Sequence, residues 1–128
     1  MRLAGLLIAL FSFPLFVIAA AETTPLTPAE AAKRANEKVV MQMEVKSTGG
    51  DNNRYLNSEE DYKDAKNFTI FISKNDLAKF KKAGIEKPEV HFKGKLIEVT
   101  GTVVLQKDKP QIKVEEPDQI KIVTKEKN

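Results

Sequence analysis

The chain of 128 residues contains no cysteine, no tryptophan and a single histidine. The lack of cysteine excludes disulfides, thiolate nucleophiles, iron–sulfur clusters and cysteine-ligated zinc. One histidine excludes a multi-histidine metal site and leaves little imidazole for acid–base catalysis. We therefore expect a protein that is not an enzyme and that uses no metal or other cofactor. The length fits one small domain.

The first 21 residues have the composition of a signal peptide. Residues 3–21 are almost wholly apolar, Arg2 gives a positively charged start, and three alanines precede Glu22. Small residues before a cut after Ala21 match a signal-peptidase site, whereas Pro14 within the run argues against the alternative of a membrane anchor. We expect cleavage after Ala21, export to the periplasm or the medium, and no membrane span in the cleaved chain.

Charge is unevenly distributed along the sequence. The net charge is +3, and the excess of basic residues lies between 63 and 113, whereas 22–62 and 114–128 have an excess of acidic residues. A protein dedicated to duplex nucleic acid usually has a stronger positive bias. The middle segment either presents a basic surface or is a solvated mixture of charges, and the interleaved acids favour the second interpretation.

Two helices are predicted. The first lies within residues 22–37, which otherwise form a linker. Thr27 is its expected N-cap, Pro28 its first residue, and Glu30 the partner that closes a capping box. The second is predicted from Asp76 to about Ala83, because Asn75 is a suitable cap and apolar residues recur at helical spacing. Both predicted helices are short.

Alternation of apolar and polar residues predicts five strands between residues 38 and 124. They are expected near 39–45, 54–57, 68–72, 95–106 and 111–114, with a turn over 47–53, a polar loop over 58–67 and a connector over 85–92. Gly101 inside the fourth strand marks a bulge or bend. Three strands, a helix and two strands are the connectivity of the OB fold, an all-β, five-stranded Greek-key barrel with a helix between strands 3 and 4. We expect this domain over 38–124, followed by a short tail over 125–128.

Several segments resemble a known family. Residues 92–103, FKGKLIEVTGTV, resemble the fourth strand of bacterial OB-fold domains, and PQI at 110–112 and PDQI at 117–120 resemble their ends. The segments YLNSEEDY at 55–62 and NFT at 67–69 are similar to small exported OB-fold proteins related to the anticodon-binding-like (tRNA_anti-like) OB family. The resemblance covers 39–123 and implies a scaffold for binding an oligonucleotide or an oligosaccharide.

A ligand-binding surface is predicted from the position of OB-fold sites. Ligands of this fold lie across strands 2 and 3, next to the loops that join strands 1 to 2 and 4 to 5. On this sequence, that surface is expected to include Lys46, Arg54, Tyr55, Asn57, Lys66, Phe71, Lys107 and Lys109. The aromatic rings would stack on bases or sugars, and the cations would meet phosphates. Phe71 is out of phase with Ile70 and Ile72, so either a ligand or the first helix is expected to cover it.

Other site types fit the sequence poorly. The acidic stretch from Asp51 lacks the glycine and the final glutamate that an EF-hand loop requires, because Leu56 and Tyr62 occupy those positions. The sequence has no nucleophile elbow and no glycine-rich phosphate loop. We therefore expect no catalytic or metal-binding residues.

Two functions remain. The first is an exported, monomeric, non-enzymatic OB-fold module that binds an extended ligand, a single-stranded nucleic acid or a glycan. The alternative is a scaffold that binds an envelope protein, for example in a stress response, and has no nucleic-acid ligand. Binding of a polyanion would weaken steeply with salt, whereas binding of a protein would centre on apolar surface.

Overall fold

A computed structural model describes residues 24–124 of the chain. The predicted signal peptide, its cleavage site after Ala21, and the predicted tail over 125–128 lie outside the described residues. The elements are α1 (Pro28–Ala32), β1 (Lys38–Glu44), β2 (Ser47–Gly49), β3 (Arg54–Asn57), β4 (Thr69–Ile72), α2 (Leu77–Lys82), α3 (Pro88–His91), β5 (Leu96–Gln106), β6 (Lys109–Lys113) and β7 (Ile120–Ile122), with 3-10 turns at Lys74–Asp76 and Pro117–Gln119.

The predicted capping box at the start of α1 is confirmed. The Glu30 backbone N–H donates to Thr27 Oγ1 at 3.2 Å, and the Thr27 N–H donates to Glu30 Oε1 at 3.0 Å. The helix is shorter than the two turns expected. Asn36 adopts a left-handed conformation with φ 69°, and its N–H bonds the carbonyl of Val103, so the chain has left the helix and joined the sheet by this point.

The sheet contains seven strands, so the predicted count of five is wrong. Its path runs β1-β5-β6-β4-β3-β2, all pairs are antiparallel except β4 with β6, and β7 pairs with β5 off this path. β1 and β2 lie at opposite ends of the path but are separated only by Val45 and Lys46. The Val45 N–H donates to the carbonyl of Lys95, the residue before β5, and the Lys46 N–H donates to the carbonyl of Asn57 in β3. β1 matches the first predicted strand, whereas β2 lies in the segment 47–53 that was predicted to be a turn.

The last predicted strand, 111–114, corresponds to β6, and a further strand, β7, follows it. β6 and β7 both pair with β5, and the segment between them contains the 3-10 turn Pro117–Gln119. Pro117 begins the 3-10 turn, where its missing N–H is not needed. Gln119 holds this turn in place, because its Nε2 donates to the carbonyl of Thr100 at 3.1 Å and its Oε1 accepts from the N–H groups of Glu115 and Glu116.

When β1 with β2, and β6 with β7, are each counted as one position, the seven strands occupy the five positions of the partly open OB barrel, and the fold is all-β and OB-like. Gly101 marks the point in β5 where pairing passes from β7 to β6. A Cβ there would lie 2.6 Å from Cγ2 of Ile112. The pairing of β5 with β1 continues in register through Gly101, so the predicted bulge is absent from this ladder, and the glycine permits a close approach between strands instead.

Two helices, rather than the single one predicted, connect β4 to β5. α2 matches the prediction within a residue at either end, whereas α3 lies in the segment expected to be a connector. Pro88 is the first residue of α3, where its fixed φ and missing N–H suit a helix. Phe80 of α2 and Phe92 after α3 are buried, so both helices contribute to the core.

The core lies inside the curved sheet, as the alternation predicted. Inward-facing side chains of β1, of β4 and of β6 with the residue after it are buried. They are Val39, Met41, Met43, Ile70, Ile72, Ile112 and Val114. α1 packs beside β1, where Ala31 is buried. Among residues 24–124, the helices are too short and too polar to cross a bilayer.

Candidate ligand-binding cleft

The outer surface of β2, β3, β4 and β6 carries two rows of side chains. Register partners across the four strands define each row. The polar row consists of Ser47, Asn57, Thr69 and Gln111. The aromatic row consists of Gly49, Tyr55, Phe71 and Lys113. Because side chains alternate between faces of a strand, the core residues Leu56 and Ile70 lie beneath these rows.

Tyr55 and Phe71 form a cross-strand aromatic pair. Their ring centroids are 5.5 Å apart and the ring planes are inclined by 47°. Tyr55 is 36% exposed and Phe71 is half-buried. The first helix does not cover Phe71, because α1 packs on β1; Tyr55 does so instead. The pair therefore leaves the Tyr55 ring open to an incoming group.

A cleft of 630 Å³ opens beside this pair. Its walls come from β2, β3, the loop 58–67 and the β5–β6 hairpin. The lining residues are Ser47, Thr48, Gly49, Gly50, Tyr55, Asn57, Glu60, Tyr62, Thr69, Gln106, Lys107, Lys109, Pro110 and Gln111. This volume lies within the usual range of small-molecule sites. The cleft occupies the face and the hairpin loop that OB folds use for ligands.

The hairpin that borders the cleft has a strained backbone. Lys107 and Asp108 both have positive φ, 52° and 65°, between the paired ends of β5 and β6. Two consecutive residues of this kind form a tight turn that matches the twist of the strands, and glycine or asparagine is the usual choice there. Such strain concentrates at functional sites. The turn fixes where the hairpin lysines stand at the rim.

The floor of the cleft contains a buried hydrogen-bonded network. Asn57 and Asn67 are 5% and 6% exposed. Asn67 Nδ2 donates to Thr69 Oγ1 at 3.1 Å and to Asn57 Oδ1 at 3.4 Å, and Thr69 Oγ1 donates to Asn57 Oδ1 at 3.0 Å. The backbone N–H of Glu59 donates to Asn67 Oδ1 at 3.1 Å. The network ties the loop 58–67 to β3 and β4.

Further contacts hold this loop over the cleft. Ser47 Oγ donates to the Glu59 carbonyl at 2.6 Å, and Ser58 Oγ accepts from the Phe68 N–H at 2.8 Å. The Asp61 and Asp64 carboxylates accept from backbone N–H groups two residues ahead. The loop is therefore an ordered wall, and it positions Tyr62, 59% exposed, at the rim.

Of the eight predicted site residues, four line the cleft and one packs against it. Tyr55, Asn57, Lys107 and Lys109 form part of its wall, and Phe71 contacts Tyr55. Lys46 pairs with Glu59 at 3.7 Å beside the cleft. Lys66 is exposed on the loop and does not line the cleft.

Arg54 has a structural role in place of the expected contact with a ligand. Its Nε donates to Glu89 Oε2 at 2.8 Å, and its Nη1 donates to the carbonyls of Asp51 and Asn52, each at 2.7 Å. The side chain is 19% exposed. It therefore joins the β2–β3 turn to α3, and its Nε and Nη1 donors are engaged in these contacts.

Several lining residues were not among the predicted site residues. Tyr62 was assigned only to a polar loop, although an exposed tyrosine among acids was a usable signal. Gln106 and Gln111 lie beside residues that were predicted, but their place on the outer face depends on the register of β5 with β6. Ser47 and Thr48 were assigned to a turn. Within residues 24–124, no group of three or more His, Asp or Glu side chains is placed to hold a metal ion.

Comparison with known proteins gives similar structures but no similar sequence. No family model and no curated protein matches the chain. An OBody bound to hen egg-white lysozyme has a TM-score of 0.53 and 17% identity, over 78% of this chain and 93% of that one. Asparaginyl-tRNA synthetase from Pyrococcus horikoshii has a TM-score of 0.52 and 15% identity, over 78% of this chain and 23% of that one.

A protein described as an aspartyl-tRNA synthetase from Leishmania major Friedlin is similar to the same degree. Its TM-score is 0.52 and its identity 11%, over 83% of this chain and 22% of that one. This chain thus spans less than a quarter of either synthetase. At these identities, the likeness establishes the OB-like fold.

Proposed function

We propose that this chain is an exported, non-enzymatic OB-fold module that binds an extended ligand across β3 and β4. The ligand is a single-stranded nucleic acid or an oligosaccharide. The observation that carries this proposal is the cleft beside Tyr55, which opens at the face and hairpin where OB folds hold such ligands. The ring of Tyr55 supplies a stacking surface, and Lys107 and Lys109 supply cations at the rim.

The similar structures support a nucleic-acid-binding type of module in a general way. The two synthetases are named for enzymes that act on tRNA, and they share this fold with the chain. Export rests on the apolar segment over 3–21 and on the alanines before Glu22. A protein outside the cytoplasm encounters glycans more readily than tRNA. The proposal therefore includes oligosaccharides as a ligand class together with nucleic acids.

The second candidate, a scaffold for a protein partner, also has an observation in its favour. The OBody, which has this fold, is bound to a protein. Leu105 at the hairpin and Tyr62 at the loop are 51% and 59% exposed. A protein partner would bury these apolar groups, and its affinity would change little with salt.

The test is a titration of the purified protein with labelled oligo-dT and oligo-U, by fluorescence anisotropy, and with neutral tetrasaccharides, by calorimetry. Each ligand is tested with the native protein, Tyr55→Ala, and Val90→Ala as a control that removes exposed apolar surface on α3. We expect one ligand class to bind and Tyr55→Ala to weaken it about tenfold. Failure of every ligand to bind at low salt would contradict the proposal and direct attention to a protein partner.

A further inference from the structure

The orientation of the Asn57 side chain follows from a chain of hydrogen bonds that begins at the backbone. The Glu59 N–H is a donor, so the atom of Asn67 that it meets is the oxygen. Asn67 therefore turns its Nδ2 toward Asn57 and Thr69. The atom of Asn57 that accepts from both of them is its oxygen. The outward atom of Asn57 is then Nδ2, a donor.

This donor is the part of Asn57 that meets the cleft. Asn57 is 5% exposed and lines the cleft. Within residues 24–124, its Nδ2 donates no hydrogen bond, and no side-chain nitrogen or oxygen is both fully buried and without a partner. Nδ2 must therefore reach the cleft. A donor that faces the cleft and has no protein partner is available to a ligand that supplies an acceptor.

The charged residues that line the cleft lie at its rim, and they are Glu60 of the loop and Lys107 and Lys109 of the hairpin. Three cations of the surrounding surface are already paired: Arg54 with Glu89 at 2.8 Å, Lys46 with Glu59 at 3.7 Å, and Lys113 with Glu115 at 3.9 Å. Glu60 lines the cleft itself, and the adjoining loop carries three more acids. The polar row at the floor consists of uncharged hydroxyls and amides. An uncharged floor of this kind matches the hydroxyl and amide groups of a sugar, whereas a phosphate backbone would find cations only at the rim, from Lys107 and Lys109.

From these observations we infer that the cleft binds a neutral oligosaccharide that bears acetamido groups, and that Asn57 Nδ2 donates to an acetamido carbonyl. The inference rests on the proposed function and names its ligand class. A sugar hydroxyl both donates and accepts, but the Asn57 oxygen is occupied, so Asn57 offers only donors. A carbonyl, which only accepts, is the better match. The ring of Tyr55 packs against the apolar face of the sugar.

Asn67 is a positioning residue in this arrangement, because it sets the direction of Asn57 without lining the cleft. In Asn67→Asp, one carboxylate oxygen still accepts from the Glu59 N–H, and the other faces Asn57. Asn57 then turns its amide inward to donate to this oxygen, and its own oxygen faces the cleft. The variant thus converts a donor into an acceptor while every lining residue is retained.

The experiment measures the affinity of the protein for chitotetraose and for cellotetraose by calorimetry. The two tetrasaccharides differ in that chitotetraose has an acetamido group in place of one hydroxyl on each sugar. The proteins are native, Asn57→Asp, Asn67→Asp, Tyr55→Ala, and Asn75→Asp as a matched exchange outside the cleft. Thermal unfolding checks that each is folded, and Tyr55→Ala, at an exposed position, keeps the test valid if either asparagine variant is unstable. We expect chitotetraose to bind at least about tenfold more tightly than cellotetraose, with little dependence on salt.

We further expect Asn57→Asp and Asn67→Asp to lower the affinity for chitotetraose about tenfold. Asn75→Asp should leave this affinity unchanged. Equal affinity for the two tetrasaccharides would overturn the role of Asn57. If only oligo-dT or oligo-U binds, in a manner sensitive to salt and to Tyr55→Ala, the inference fails and the proposed function stands. If no ligand binds, both fail.

Discussion

Tyr55 and Phe71 face each other across β3 and β4, with ring centroids 5.5 Å apart and planes inclined by 47°. Their outward direction follows from the alternation that sends Leu56, Ile70 and Ile72 into the core. The pair is the apolar part of a surface whose other row consists of hydroxyls and amides. An aromatic ring beside uncharged hydrogen-bonding groups can hold a flat, polar ligand unit.

The two rings are expected to contribute differently to binding and to stability. Tyr55→Ala removes the exposed ring, so affinity for a ligand in the cleft should fall about tenfold, with only a small change in unfolding. Phe71→Ala removes a half-buried ring and the support of Tyr55, so it should reduce both affinity and stability. Anisotropy or calorimetry measures the affinity of both variants, and thermal unfolding measures their stability. Equal losses of stability would contradict this expectation.

Gly101 is expected to tolerate no side chain. A Cβ at this position would lie 2.6 Å from Ile112 Cγ2, so Gly101→Ala should lower the free energy of unfolding by about 1–3 kcal/mol. Gly49→Ala is the control, because a Cβ there would meet nothing within 4 Å. Denaturant unfolding of the two variants checks the prediction. A loss of stability at Gly49 as large as that at Gly101 would contradict the account of β5.

Glu98 is expected to make stability depend on acid pH. The hydrogen bond from Gln42 Nε2 at 3.1 Å and the ion pair with Lys121 at 3.0 Å lower the pKa of Glu98 below its ordinary value of 4.5. The folded state thus binds this proton less readily than the unfolded state. The resulting stabilisation is present above about pH 5 and is lost as the pH falls through the folded pKa.

Glu98→Gln should therefore flatten the acid side of the stability profile. We expect the variant to be less stable than the native protein near neutral pH by no more than about 1 kcal/mol, because Lys121 is largely exposed. The difference should shrink as the pH falls from neutral through the folded pKa of Glu98. Denaturant unfolding across this range measures it, and Glu86→Gln serves as a control. A difference that stays constant with pH would show that the carboxylate does not act through its charge.

Export is expected to leave Glu22 as the first residue. The predicted cut follows three alanines, and a cleaved chain would lack the apolar segment over 3–21. Expression of the full sequence in a bacterium, fractionation, and mass spectrometry of the exported protein give the N-terminus directly. Retention of Met1 or Arg2 in a membrane fraction would favour an anchor over a cleaved signal.

The parts of the fold that local sequence determines were predictable. The inward residues Val39, Met41 and Met43 follow from alternation, and the capping box of α1 follows from the types and spacing of Thr27 and Glu30. The strand β2, which follows β1 after two residues, was not predicted. Val45 and Lys46 keep the alternating pattern, and only their pairing with different strands, distant in sequence, reveals the break.

The candidate site was predictable to a similar extent. Strand phase places Tyr55 and Phe71 on the outer face, but residue type alone did not show that Arg54 is held by Glu89. The role of Asn67 has no local signal, because it depends on the N–H of Glu59 and on the register of β3 with β4. Contacts between distant segments thus decide which polar residues are free for a ligand.

The most direct test of the central claim is to locate ligand contacts on the folded protein by amide chemical-shift mapping. Spectra of the isotopically labelled protein are recorded during titration with chitotetraose and, separately, with oligo-dT. The account predicts that shifts concentrate at Tyr55, Asn57, Thr69, Lys107 and Gln111, around the cleft. Shifts centred on β1 and β7, or the absence of shifts with both ligands at millimolar concentration, would contradict it.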